Sequence, residues 1–67
     1  MLIWIVTKKF TAGIEANETG KIINAPPICI WTMNMTAKYL KEYLIEEGEL
    51  IDWIEVETCE KQKQNQN

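Results

Sequence analysis

The most constraining feature of this sequence is a pair of short segments joined by a turn-forming cluster. Between residues 10 and 16, apolar side chains occupy every second position, at Phe10, Ala12, Ile14 and Ala16. Residues 17–20 read Asn-Glu-Thr-Gly, and Gly20 can adopt the left-handed backbone that closes a type I turn with a bulge. Residues 21–25 form the second strand of this hairpin, which is the third predicted strand of the chain. The pattern and the turn together predict a β-hairpin.

The register of this hairpin follows from its turn. Placing Ala16 opposite Lys21 sets Ile14 opposite Ile23, so the apolar residues of both strands share one face. The same register puts Ile22 on the opposite face of the sheet.

The segments around the hairpin predict another strand and two helical regions. Residues 2–7 are apolar on both alternating faces, which is typical of a strand covered on both sides. Pro26-Pro27 ends the third strand because neither proline has an N–H. Residues 28–33 are ambiguous: their β-branched content favours a strand, whereas their position after Pro26-Pro27 permits one or two helical turns, which is the interpretation we prefer. Residues 37–47 carry a helical apolar stripe. Asn34 and Thr36 are both N-cap candidates before it, and Gly48 is suited to follow the helix C-terminus.

A last strand is predicted at residues 50–57. Strict alternation places one set of side chains on one face, Leu50, Ile54 and Val56. It places the other set on the opposite face, Ile51, Trp53, Glu55 and Glu57. The tail at 60–67 has no apolar residue and is expected to be disordered. The sequence therefore predicts a single α+β domain at 1–59, with a small antiparallel-rich sheet in β-β-β-α-β order and one main helix on one face.

A single helix can cover only one face of such a sheet. The opposite face is expected to expose half of the apolar residues of the first strand, together with a predicted interface formed by Ile22, Ile51, Trp53, Glu55 and Glu57. Such a surface exceeds what a stable monomer normally exposes. Homodimerisation is the commoner way to cover it. Two alternatives remain open: a register displaced by one residue, or residues 28–33 folding over this face. Trp4 and Trp31 are expected in the core.

Charge is unevenly distributed along the chain. Residues 42–60 hold eight of the ten acids and none of the seven lysines. The predicted acidic surface comprises Glu42, Glu46, Glu47 and Glu49. It serves either as a solvated rim that aids solubility or as a docking surface for a basic partner, such as a host protein.

Composition excludes several classes of catalytic and metal-binding protein. The chain contains no His, Ser or Arg, so neither a serine triad nor a histidine metal site can form within it. Cys29 and Cys59 are expected to be reduced thiols. Glu55 and Glu57 lie about 7 Å apart on a strand, but a domain this small offers no cleft to desolvate them. We therefore predict no enzymatic activity, no metal and no cofactor.

The N-terminal apolar run is too short to be a membrane segment. It spans five residues and is followed by Lys8 and Lys9, whereas a signal peptide carries its positive charges before the apolar stretch and a spanning helix needs about 20 apolar residues. The sequence predicts a cytoplasmic protein with no membrane association.

A motif pattern accompanies these elements: Phe10-Thr-Ala-Gly-Ile, Gly20-Lys-Ile, Ala25-Pro-Pro-Ile and Trp31 before a helix. It resembles small uncharacterised proteins encoded by viruses, prophages and plasmids. No function accompanies that resemblance, which implies only provenance. The absence of Arg beside seven Lys fits an AT-rich coding sequence of the same kind.

The function predicted from the sequence is a non-catalytic protein-interaction module of a virus or other mobile genetic element. It would bind itself, a host protein with a basic surface, or both. The alternative is a small nucleic-acid-binding regulator using Lys8, Lys9, Lys21, Lys38 and Lys41. The formal net charge of −3 makes nucleic acid the less expected partner.

Overall fold

The computed structural model describes residues 1–57. Its elements follow the chain as β1 (Leu2–Thr7), β2 (Thr11–Ala16), β3 (Ile22–Asn24), a 3-10 helix (Pro27–Thr32), α1 (Ala37–Glu46) and β4 (Leu50–Val56). The four strands form one antiparallel sheet in the order β3-β2-β1-β4. The predicted α+β fold and its β-β-β-α-β order are confirmed. The predicted domain end at 59, Cys59 and the tail at 60–67 lie outside the described residues.

β1 is an interior strand of the sheet. Its sequence predicts cover on both faces, but residues 1–57 cover only one of them. It pairs with β2 on one side and with β4 on the other. Ile3 and Ile5 are buried on the face that α1 covers, while Leu2 and Val6 are half-buried on the other face. We call the face covered by α1 the inner face and its opposite the outer face.

The β1–β2 connection is closed by a threonine that the sequence pattern did not single out. The Oγ1 of Thr7 donates to the carbonyl of Phe10 at 2.9 Å. It also accepts from the N–H groups of Lys9 and Phe10, at 3.1 and 2.9 Å. Thr7 is buried, and these bonds satisfy its hydroxyl.

The β2–β3 hairpin has the predicted turn but a different register. Gly20 has φ +89°, so its left-handed conformation is confirmed. Ala16 pairs with Ile22 and Glu15 with Asn24, which inserts one extra residue into β3. The predicted pairing of Ala16 with Lys21 is therefore wrong. Such a bulge is invisible to a pattern that assumes strict alternation.

This register reverses the predicted faces of two neighbouring isoleucines. Ile22 has 0% exposure and lies in the core, whereas Ile23 is 45% exposed. The prediction that Ile22 belongs to an uncovered interface is corrected, because its side chain shares the inner face with Ala16. A shift of one residue moves a side chain from one face of a sheet to the other.

The free edge of β3 is covered by the segment before α1. The N–H of Ile22 donates to the carbonyl of Met35 at 2.8 Å, and the N–H of Asn34 donates to the carbonyl of Ile22 at 3.0 Å. Asn34 adopts φ +72°, a left-handed conformation that asparagine tolerates better than most residues. These bonds occupy backbone groups that an edge strand would otherwise offer to another chain.

The helical regions begin and end close to where the sequence predicts. The Oγ1 of Thr36 accepts from the N–H of Tyr39 at 3.2 Å, as expected of an N-cap. Gly48, with φ +72°, follows the last turn. The predicted stripe is confirmed, since Leu40 and Leu44 are buried against the sheet. The 3-10 helix confirms the helical preference of residues 28–33 and buries Cys29.

β4 contains a second bulge, in its pairing with β1. Thr7 pairs with Leu50 but Val6 pairs with Asp52, so Ile51 is an extra residue. Leu50 therefore packs against the core before the bulge, and Trp53 packs against it after the bulge. The strict alternation predicted for this strand is wrong beyond Leu50.

One hydrophobic core lies between α1, the 3-10 helix and the inner face of the sheet. It is formed by nine buried residues: Ile3, Ile5, Ala12, Ile14, Ala16, Ile22, Cys29, Leu40 and Leu44. For a domain of this size such a core is modest, so a single large side chain removed from it is a sizeable loss.

The register of β3 can be tested with a matched pair of substitutions. We expect Ile22→Ala to lower the free energy of unfolding by about 2–5 kcal/mol, because it leaves a cavity in the core. Ile23→Ala, at the next position, should cost less than about 1 kcal/mol. Urea denaturation of both variants measures the difference. Equal costs, or a larger cost for Ile23→Ala, would support the regular hairpin register instead.

Candidate functional site

The outer face of the sheet carries a compact group of apolar side chains. The pairing places Trp4 between Gly13 and Ile54, in the middle of three rows of side chains. The row on one side contains Leu2 and Val56, and the row on the other side contains Val6. We call the five large members the outer apolar patch: Leu2, Trp4, Val6, Ile54 and Val56. Within residues 1–57 no helix covers it, because α1 packs on the inner face.

The centre of the patch is well exposed. Trp4 is 44% exposed and Ile54 is 46% exposed. The indole of Trp4 lies across Gly13, at 3.5 Å from the position that a Cβ there would occupy. Because Gly13 has no side chain, the Trp4 ring can lie over the neighbouring strand β2, which adds apolar surface to the patch. Within these three rows, charged side chains lie only at two diagonally opposite corners: Glu15 lies beside Leu2, and Asp52 lies beside Val6.

The structure places two members of the predicted interface on the inner face. Trp53 pairs with Ile5, and Glu55 pairs with Ile3, both of which are buried under α1. The prediction that Trp53 and Glu55 lie on the uncovered face is therefore wrong. The bulge at Ile51 causes the error, because it exchanges the faces of every later residue of β4.

Trp53 is instead held by contacts on the helix side. Its indole N–H donates to Glu55 Oε2 at 2.9 Å. The Lys41 ammonium lies 5.6 Å from the centre of its ring, within cation–π distance. The backbone N–H of Trp53 donates to the Asp52 carboxylate at 2.9 Å, so this amide is not available to pair with another strand.

Of the other members of the predicted interface, two are exposed and one is buried. Ile51 is exposed at the bulge, and Glu57 is exposed just after β4. Ile22 lies in the core, as described above. The predicted set is thus not brought together as one surface. Trp4 and Trp31, expected in the core, are also both substantially exposed.

The sequence contains only a partial signal for the correct faces. Strict alternation would place Asp52 on the inner face with Leu50 and Ile54, and a buried unpaired carboxylate is costly. A bulge before Asp52 removes that conflict and turns Ile54 and Val56 outward, but it also turns Glu55 to the inner face. The positions of the acids therefore do not choose between the two registers.

The predicted acidic surface divides into exposed and partly buried members. Glu42, Glu46 and Glu47 are exposed along α1 and at its C-terminal cap. Glu49 is different, because its Oε2 lies 3.7 Å from Lys9 Nζ while its Oε1 is buried with no hydrogen-bond partner among the described residues.

The lysines proposed for nucleic-acid binding are spread over several elements. Lys8 and Lys9 occupy the β1–β2 turn, Lys21 precedes β3, and Lys38 and Lys41 lie on α1. Lys9 is paired with an acidic side chain and Lys41 with an aromatic ring. Nucleic-acid binding by such residues depends on phosphate contacts along one surface, and two of the five lysines already contact other side chains.

Three aromatic rings meet at one end of the inner layer. The ring centres of Phe10 and Trp31 are 6.5 Å apart at an interplanar angle of 83°, and those of Trp31 and Tyr43 are 6.3 Å apart at 71°. These edge-to-face arrangements are favourable for aromatic pairs. With Glu47 and Glu49 they line a cavity of about 110 Å³. No sequence motif pointed to this cluster, since its members are distant in the chain.

Cys29 is a free thiol, as predicted, and is fully buried. Burial raises the pKa of the Cys29 thiol above its usual range, while a hydrogen bond involving Thr32 acts in the opposite direction. A thiol held neutral in this way is a weak nucleophile.

Residues 1–57 contain no group of three or more Cys, Asp or Glu side chains placed to hold a metal ion. None of the helices in this part of the chain has the length and apolar character needed to cross a membrane.

Comparison of the chain with protein-family models, with curated proteins and with solved structures gives no match in any of the three. The class is therefore defined by the fold and the surfaces themselves. It is a small α+β domain in which residues 1–57 cover one sheet face and leave the other uncovered.

The buried thiol gives the protein a pH-dependent stability. Because folding raises the pKa of Cys29, its contribution is complete below the unfolded-state pKa of about 8.5 and is lost as the pH rises through the folded-state value. We expect the free energy of unfolding to fall above that pH, by at most ~1.4 kcal/mol per pH unit from this group. Cys29→Ala should flatten this part of the curve in urea denaturation at pH 7–10. An unchanged slope in the variant would contradict this assignment.

Proposed function

We propose that this protein is a non-catalytic interaction module that associates with a second copy of itself through the outer apolar patch. The observation that carries the proposal is the grouping of five large apolar side chains around Trp4 on the face that α1 leaves uncovered. Monomeric proteins rarely leave such a contiguous apolar surface in water.

The geometry of the patch favours a second copy as the occupant. Symmetric association brings the same surface from both partners together, so a flat apolar patch meets its own complement. Two sheets pack face to face at about 10 Å, with side chains interdigitating between them. Trp4 at the centre and acids only at the corners match the apolar core and polar rim of protein interfaces.

The energetics of a small domain favour the same occupant. The core between α1 and the sheet contains nine buried residues, and domains of this size usually need an additional source of stability. Burying a large apolar side chain contributes about 1.5–3 kcal/mol. Covering Trp4 and Ile54 on both partners would therefore add a second apolar core, on the outer face of the sheet, to the one under α1.

The edges of the sheet offer less for association than its outer face. The β3 edge is bonded to the segment at Asn34 and Met35. On β4, the N–H of Trp53 is bonded to the Asp52 carboxylate. Such devices protect edge strands against pairing with other chains, which leaves the outer apolar patch as the stronger candidate surface.

A basic host protein is a second candidate partner, supported by the exposed acids of α1. Glu42, Glu46 and Glu47 present negative charge away from the outer face, and complementary charge accelerates association. The resemblance to proteins of viruses, prophages and plasmids supports a role in a mobile genetic element, acting inside its host cell.

The self-association can be tested with one substitution made on each side of the sheet. Ile54→Lys introduces a charge into the outer apolar patch, and we expect it to weaken dimerisation by about 2 kcal/mol or more. Ile45→Lys makes the same change on α1 at a residue that is 58% exposed, and should leave dimerisation unchanged. Sedimentation equilibrium at tens of micromolar measures both, and circular dichroism confirms that each variant is folded.

A wild-type protein that remains monomeric in this measurement would refute the proposal. Weakening by Ile45→Lys but not by Ile54→Lys would show that association uses the helix side instead, and equal weakening by both would refute a specific role for the outer apolar patch. Trp4→Ala provides an independent variant at the centre of the patch, and it should weaken dimerisation without adding a charge.

A further inference from the structure

The cavity beside Trp31 has the chemistry of a cation site. We propose that it binds a guanidinium group, held between the aromatic rings of Phe10, Trp31 and Tyr43 and the carboxylate of Glu49. The cavity lies on the helix side of the sheet, so the proposal does not depend on self-association through the outer apolar patch.

The aromatic rings supply the first part of the site. Trp31 stands nearly perpendicular to both Phe10 and Tyr43, at interplanar angles of 83° and 71°. Rings that line a cavity at such angles can present both faces and edges to an occupant. The face of an aromatic ring attracts cations, tryptophan most strongly, and the attraction grows when the site excludes water.

The carboxylate of Glu49 supplies the second part. Its Oε1 is buried and has no hydrogen-bond partner among the described residues. A buried acceptor without a donor is costly, and such groups in folded proteins are almost always satisfied. An N–H donor entering the cavity would satisfy Oε1, and a charged donor would form the stronger bond.

The protein's own lysine indicates which cation fits. The Lys9 ammonium is 3.7 Å from Glu49 Oε2, yet the Lys9 side chain is 78% exposed and leaves Oε1 unpaired. An ammonium is strongly hydrated and remains near solvent. A guanidinium is planar, more weakly hydrated, able to stack on aromatic rings and able to pair with both oxygens of a carboxylate.

The size of the cavity limits the occupant to a small group. Its volume is about 110 Å³, whereas pockets for drug-sized ligands span roughly 300–1,000 Å³. A guanidinium with a short alkyl stem matches the smaller volume. The shared chemistry can come from a free guanidino compound or from an arginine side chain of another protein.

The site can be tested by following the Trp31 indole N–H resonance during titration with defined probes. We expect methylguanidinium and N-acetyl-arginine amide to give saturable shifts, with dissociation constants on the order of millimolar for so few contacting atoms. N-acetyl-citrulline amide has a similar shape without the charge and should give no saturable shift. N-acetyl-lysine amide should bind more weakly than the arginine probe.

Two variants should change the affinity in opposite directions. Glu49→Gln removes the carboxylate and should weaken binding of the arginine probe at least about tenfold. Lys9→Gln removes the competing ammonium and should strengthen it about two- to fivefold. Glu46→Gln, an exposed acid that does not line the cavity, is the matched control and should leave the affinity unchanged.

The probes also distinguish the two sources of the group. Equal affinity for methylguanidinium and N-acetyl-arginine amide would support a free guanidino compound, and tighter binding of the arginine amide would support an arginine side chain. Equal binding of the citrulline or lysine probe would overturn the proposal, as would an unaltered affinity in Glu49→Gln or a weakened one in Lys9→Gln. Self-association is measured separately, by sedimentation, so a failure to bind guanidinium in this cavity would be distinguishable from a failure of the proposed self-association.

Discussion

The pairing of β1 with β4 joins the two ends of the described chain, and one extra residue in that pairing decides which side chains face α1. Leu50 lies opposite Thr7, but Asp52 lies opposite Val6, so Ile51 interrupts the alternation. Every later residue of β4 therefore takes the face opposite to the one that strict alternation predicts. The inward position of Trp53 and the outward position of Ile54 both depend on this bulge.

Local sequence features were sufficient to predict the elements and their order. The apolar run of β1, the turn at Gly20 and the stripe of Leu40 and Leu44 each act through neighbouring residues, and each is confirmed. The registers of β3 and β4 depend on pairing between distant segments. Each contains a bulge, and a bulge leaves little trace in composition or periodicity. The fold was therefore predictable while the faces were not.

The candidate sites were harder to predict because they depend on those faces. An uncovered apolar face was expected from the presence of a single helix. Residues 1–57 have such a face, but it is formed around Trp4 rather than around Trp53. The aromatic cavity joins Phe10, Trp31 and Tyr43 from three separate elements. Nothing in their spacing indicates that they meet, because the contact arises only when the 3-10 helix and α1 pack beside the β1–β2 turn.

The two faces of the sheet suit different tasks. The inner face holds the core together with the aromatic cavity at its end, where Lys9 and Glu49 approach each other. The outer face carries apolar side chains with little polar character between them. A domain with one helix layer can thus form its core on the inner face of its sheet and leave the outer face for association.

The most direct test of this account is the set of nuclear Overhauser contacts made by the indole protons of Trp4 and Trp53 in solution. The bulge in β4 requires contacts from Trp53 to Lys41 on α1, and contacts from Trp4 to Gly13 and Ile54 with none to Leu40 or Leu44. Without the bulge, Trp53 would lie opposite Trp4 on the outer face. If Trp53 shows contacts to Trp4 and none to α1, the bulge is absent and the assignment of the faces of β4 is wrong.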